Sequence, residues 1–166
     1  MLITVLKWDS GNLHGMRFED LADQPCSITR PLTVLGDRWT FVIVKQAFAG
    51  VRRFEDFQAS LGISRGRLAD RLDRLVDHGI LRREPYRDGR TRHEYRLTDK
   101  GLDLYPILIA FRDWGDAYMA PDGPPVNYRH TSCGGNAHAR VECDTCGETL
   151  TARDVTPEAG PGALAA

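Results

Sequence analysis

At 166 residues, with 42% hydrophobic and 27% charged side chains, the chain can bury one substantial core and a small appendage, and neither disorder nor a collagen-like fold fits its composition. Lysine and arginine (22) nearly balance aspartate and glutamate (23), which excludes a protein that coats nucleic acid by bulk charge and leaves only a local basic surface. The longest apolar runs, MLITVL at the start, FVIV from Phe41 and PILIAF from Pro106, fall far short of the ~18–20 residues of a membrane span, and no small-residue cleavage site follows the first, so no membrane is involved and the expected compartment is the cytoplasm.

Residues 1–25 read as an N-terminal extension, and from Ser27 the pattern becomes helical. Leu32, Leu35, Trp39, Val42 and Ile43 recur at three- and four-residue spacing around Gly36-Asp37, which predicts two short helices with Asp37 capping the second. A third helix is expected over Arg53–Ser60, ended by Leu61-Gly62. Ser64 then caps a fourth, whose stripe of Leu68, Leu72, Leu75 and Val76 stops at His78-Gly79. Two helices joined by a short glycine-bearing turn make a helix-turn-helix.

After Gly79 the periodicity changes. Ile80–Tyr86 contains Pro85 and reads as an edge strand, Arg87-Asp88-Gly89-Arg90 as a turn, and Arg92–Leu97 as a partner strand with Tyr95 and Leu97 on one face; together they form a two-stranded wing. Thr98 caps a long helix running to Met119, which Pro106 should kink or divide. Apolar residues cover nearly its whole circumference. A domain of this size cannot bury such a helix alone, so Leu104, Leu108, Phe111, Trp114 and Tyr118 are expected to meet a second copy of the chain. The fold class is therefore mainly α with a small β wing, over residues 26–120.

The charge is concentrated. Between Leu61 and Arg96 stand ten arginines and six acids, and no lysine. Arginine's fixed fork of donors suits phosphate and guanine, although it also serves in ordinary surface ion pairs.

Pro-Asp-Gly-Pro-Pro opens a linker over residues 121–126. A small module over 127–156 follows, with a flexible tail at 157–166. No internal repeat is evident. The module carries His130-x2-Cys133-x9-Cys143-x2-Cys146, with Gly134 and Gly147 after the second member of each pair. Two ligands on a tight turn can face one ion, so the expectation is a zinc-ribbon-like hairpin holding one structural zinc per chain. A disulfide with one cysteine left over is the alternative, and His138 is a rival fourth ligand. With every coordination position filled by protein, no activated water remains. No catalytic pairing stands out elsewhere, and the expectation is that the chain is not an enzyme.

In order and at matching spacing, Cys26-Ser27, Leu35-Gly36-Asp37-Arg38-Trp39, Arg53-Phe54-Glu55-Asp56-Phe57, Leu68-Ala69-Asp70-Arg71-Leu72, Tyr95-Arg96-Leu97-Thr98 and Gly101 resemble the HxlR-type winged-helix transcriptional regulators, relatives of the MarR group. The resemblance runs from Met16 to Met119, and Met16-Arg17-Phe18-Glu19-Asp20-Leu21 looks like a family N-terminus, which makes Met16 a candidate start. It implies a homodimer that binds double-stranded DNA, with dimer contacts from the first and last helices of the domain. In such a fold the helix beginning near Ser64 enters the major groove and the wing reaches phosphates or the minor groove. The candidate DNA contacts are Ser64, Arg65, Arg67, Arg71, Arg74, Arg87, Arg90 and Arg92. The bland reading is that Arg67, Arg71 and Arg74 pair with Asp70, Asp73 and Asp77 along a solvated face. Cys26, just before the first helix, is a candidate sensor of oxidants or electrophiles by the same resemblance; otherwise it is a small buried hydrophobe. The leading expectation is a transcriptional regulator on a pseudo-palindromic operator. The alternative is a winged-helix and zinc-ribbon adaptor that binds protein instead of specific DNA. The effector, the operator and the sign of regulation are not legible.

Overall fold

The structure, a computed structural model, describes residues 18–24, 26–87 and 91–163. The candidate start at Met16, the rest of the extension before Phe18, and Arg90 at the wing tip lie outside the described residues.

Two short helices, α1 (Thr29–Leu35) and α2 (Arg38–Phe48), are separated by Gly36-Asp37. Asp37 is extended there, and its carboxylate accepts hydrogen bonds from the amides of Trp39 (2.9 Å) and Thr40 (3.3 Å), the first-turn donors that lack helical partners. Next comes α3 (Phe54–Leu61), closed by Gly62 at φ 61°, a left-handed turn that redirects the chain into α4 (Arg65–Asp77). Leu68, Leu72 and Leu75 of α4 are fully buried. They pack with Ile43 and Val44 of α2, Phe57 of α3, Ile63 in the turn, and Ile80 and Leu81. One core thus locks the orientation of α4, and truncating Leu72 to alanine would cost about 2–5 kcal/mol.

Strands β1 (Leu81–Arg87) and β2 (Thr91–Leu97) pair antiparallel, with Leu81 opposite Leu97 and Arg87 opposite Thr91, so each strand reaches one residue nearer the wing tip than the alternation predicts. Arg53 bridges to Glu94 and the Tyr95 amide donates to the Arg52 carbonyl (2.8 Å), which gives β2 a second neighbour. Pro85, which has no amide to donate, lies on β1, at the edge of the sheet.

The expected long helix is two: α5 (Asp99–Leu102) and α6 (Tyr105–Met119), with Pro106 in the first turn of α6, where its missing amide costs nothing. Thr98 Oγ1 accepts from the Gly101 amide (3.1 Å) and donates to the Gly79 carbonyl (2.5 Å), tying the start of α5 to the end of α4. Gly101 is buried so closely against the Ile80 carbonyl that a Cβ there would collide with it.

The structure divides the apolar circumference of α6: Leu108 and Ile109 are buried within their own chain and Leu104 packs on the core, whereas Phe111, Trp114 and Tyr118 are 65%, 57% and 75% exposed. Of the five residues expected to meet a second copy, Leu104 and Leu108 thus contact their own core, and the other three stay open. Beyond the linker, where the sequence shows no repeat, two loops of like geometry are closed by the bridges Arg129 to Asn136 and Glu142 to Thr149. Among the described residues, no helix is long and apolar enough to cross a membrane.

Candidate nucleic-acid interface

The first turn of α4 is the most open part of the helix. Ser64, Arg65, Gly66, Arg67 and Asp70 are exposed. Ser64 occupies the capping position, yet its side chain makes no capping hydrogen bond, so the first amides of α4 keep their donor capacity and the positive end of the helix dipole faces outward. The Arg65 guanidinium stacks over the Phe54 ring at 4.7 Å from its centroid, which anchors it at the junction of α3 and α4. Among the described residues Arg67 has neither an ion pair nor a hydrogen-bond partner for its side chain.

Arg71 and Arg74 are placed differently from the sequence expectation. Arg71 forms a two-pronged contact with the Asp37 carboxylate, Nε to Oδ1 at 3.0 Å and Nη2 to Oδ2 at 3.2 Å. Its guanidinium holds Asp37 below the usual carboxylate range, and Asp37 in turn raises Arg71. Arg74 donates to the Thr33 carbonyl of α1. Both are half-buried, and both fasten the middle of α4 to the α1–α2 corner. The bland reading fares no better in its pairings: Asp73 is taken by Arg83 of β1, and Arg71 reaches an acid 34 residues away instead of a neighbour on its own helix. Asp37 is thus the residue that sequence reasoning missed. It reads locally as a cap, and nothing in the spacing reveals that the same carboxylate also receives an arginine from α4.

On the wing, Arg92 is exposed opposite Tyr86. Arg87 ends β1, its side chain lying outside the description as Arg90 does. Arg53 lies along the wing, stacked over Tyr86 at 4.5 Å and 3.7 Å from Glu94. Arg82 and Arg96 share Glu84, at 2.8 Å and 2.7 Å.

Along α6, Ile107, Phe111, Trp114 and Tyr118 form an exposed apolar stripe, with Trp114 and Tyr118 in ring contact at 5.5 Å. Beside it lies an apolar cleft of about 280 Å³ between α2, α6 and the linker, lined by Phe41, Val42, Lys45, Phe111 and Val126 among others.

Cys26 is half-buried just ahead of α1. The amides of Thr29 and Ile28 point at its sulfur and hold the thiol below its ordinary value. In the C-terminal module His130 Nδ1 lies 3.1 Å from Cys133 Sγ. The amides of Cys146 and Thr145, with the Cys146 thiol, lower Cys143. The structure thus brings the four sequence-predicted ligands together as two pairs; among the described residues, no three of His, Cys, Asp and Glu converge where one ion could be held. His138, the rival ligand, is turned to α6, with Nδ1 3.1 Å from Asp113 Oδ1.

A buried-leucine helix presented by a helix-turn-helix and flanked by a two-stranded wing defines the winged helix-turn-helix class. The chain belongs to the HxlR-like helix-turn-helix family, whose model matches residues 34–123 and so ends at the linker. It is similar to the uncharacterised HTH-type transcriptional regulator Rv3095 of Mycobacterium tuberculosis H37Rv, 48% identical over 137 residues, or 82% of this chain and 87% of the relative. Among solved structures it resembles PA1607, a candidate transcription factor, at 40% identity and a TM-score of 0.75, covering 82% of this chain and 96% of that one. The redox regulator HypR in its reduced form is similar over 55% of this chain and 92% of its own, at 29% identity and a TM-score of 0.52.

Proposed function

We propose that the protein is a homodimeric transcriptional regulator that binds a pseudo-palindromic operator, with α4 in the major groove and the wing on the flanking backbone. The carrying observation is the division of labour along α4. Its middle is bolted to α1–α2 by Arg71 and Arg74, whereas its first turn offers Arg65, Arg67, Ser64 and uncapped amides to the outside. A groove helix needs both parts: a fixed orientation, and free donors at the end that meets bases and phosphates. Arg87, Arg90 and Arg92 act as phosphate contacts in this reading. Arg71 and Arg74 act as positioning residues.

The exposed stripe on α6 supports a second copy of the chain as its cover, since four large apolar side chains in a row are costly to leave in water. An adaptor without DNA binding would need the arginines of α4 to be paired internally, which Arg67 is not. Cys26 is the candidate sensor; the lowered thiol and the likeness to a redox regulator support that role. Selecting fragments bound by the full-length protein from genomic DNA tests the reading. The expected outcome is a small set of fragments sharing an inverted repeat with half-sites about one helical turn apart. Cys26→Ser should bind these fragments as the parent does and lose any release caused by peroxide or an electrophile. Recovery of fragments without a common motif would refute the operator reading.

A further inference from the structure

Beyond the linker the backbone folds the same unit twice, thirteen residues apart, over residues 128–137 and 141–150. The Gly134 amide donates to the His130 carbonyl and the Gly147 amide to the Cys143 carbonyl, both at 2.8 Å. His130 N to Gly135 O (2.8 Å) is repeated by Cys143 N to Glu148 O (2.9 Å), and Ala137 N to Tyr128 O by Leu150 N to Val141 O, both 2.8 Å. Gly134 and Gly147 are left-handed at φ 72° and 73°, where a side chain would be strained. At equivalent positions the two units carry His130 with Cys133 and Cys143 with Cys146.

Such regularity has no apolar cause. None of the described residues from 121 to 162 is buried, and only Tyr128, Ala137, Ala139, Cys143 and Leu150 are even half-buried. The sequences of the two loops differ at most positions; what they share is a thiol or imidazole at each end of a turn, and the glycine that lets the backbone curl behind it.

We propose that these two corners close on a single thiophilic divalent cation of the zinc class, held by His130, Cys133, Cys143 and Cys146. Three thiols and one imidazole are a soft set that favours such an ion over magnesium or calcium, and four protein ligands leave no open position. The two pairs stand apart as described, so binding has to draw the corners together, at the expense of the bond energy that the ion supplies. Binding forms one nitrogen and three sulfur bonds to the ion, while the three thiol protons leave to solvent. No oxidant or reductant takes part.

The segment between the two corners is also what fastens the module to α6. Asp113 accepts from the Ala139 amide (2.8 Å) and faces His138; Arg112 donates to the Ala137 carbonyl (2.5 Å) and lies over the Tyr128 ring at 5.2 Å. Closing the corners fixes that segment, so the ion steadies the clamp as well as the hairpin. His138 is engaged by Asp113 and stays outside the ligand set.

The test is independent of DNA binding. Full-length protein purified with reductant, given zinc and desalted, is weighed by native mass spectrometry; one zinc per chain is expected, unchanged in Cys26→Ser. Cys133→Ser and Cys146→Ser should each weaken zinc binding at least about tenfold. Cobalt(II) alone, added to the metal-free parent, should give the intense visible absorption of tetrahedral thiolate coordination, so the proposal stands or falls even if the serine variants misfold. Asp113→Ala should keep the ion while protease cuts within 128–150 faster than in the parent. A chain that retains no zinc under reductant, one ion per two chains, or an octahedral cobalt spectrum would overturn the proposal.

Discussion

Asp37 does two jobs with one carboxylate: it caps α2 and it grips Arg71. The two jobs can be separated. Asparagine is as good a cap as aspartate but offers no charge, so Asp37→Asn should lose the ion pair alone, whereas Asp37→Ala should lose about 1 kcal/mol more through the cap. Because the folded Asp37 is held below the ordinary carboxylate value, the pair contributes at neutral pH and stops contributing as pH falls through that lowered value. Denaturation of the parent and Asp37→Asn should therefore differ by a constant amount from pH 7 to about 5 and converge only as pH falls below the ordinary carboxylate value and through the lowered one. Arg67→Ala should leave stability within about 0.5 kcal/mol and cost roughly 1–3 kcal/mol of operator binding; Arg71→Ala should lower the melting temperature measurably, since it leaves Asp37 without its partner. Gly101→Ala should destabilise by about 1–3 kcal/mol, because its methyl group would push into the Ile80 carbonyl where α5 crosses the end of α4. Calorimetry on each variant checks these values.

Among the elements, α6 separates what periodicity can reveal from what it cannot. Its apolar residues announce a helix with much to bury, but an all-round pattern does not say which side meets its own core and which a partner. The structure divides them: Leu108 and Ile109 inward, Ile107, Phe111, Trp114 and Tyr118 outward. In the dimer proposed above, Trp114→Asp should give a folded chain that light scattering finds monomeric, at concentrations where the parent is expected to be a dimer. The same substitution at Leu108 should unfold the subunit, because it buries a charge without a partner. Elements with strong local punctuation were legible in the sequence: Asp37 and Thr98 as caps, Gly62 and Gly79 as stops, and the alternation of β2. The division at Asp103-Leu104 was legible as a choice, through Pro106, between a kink and two helices. What was hidden is long-range. The partner of Arg71 is 34 residues away, that of Arg74 is a carbonyl on α1, and the paired loops at His130 and Cys143 share a backbone while sharing few side chains.

For the whole molecule, the near-neutral net charge and the arginine-rich stretch around α4 fit a protein that docks one surface on DNA and keeps the rest neutral. Two copies joined through α6 would present two α4 helices related by a two-fold axis, which is why an inverted repeat is expected. The most direct measurement is an equilibrium titration of the full-length protein, parent and Arg67→Ala, against a selected operator and a scrambled duplex over a range of salt. The parent should prefer the operator, both duplexes should lose affinity steeply as salt rises, and Arg67→Ala should narrow the preference by roughly tenfold or more. Equal affinity for operator and scrambled DNA, or an unchanged preference in Arg67→Ala, would contradict the placement of α4 in the groove.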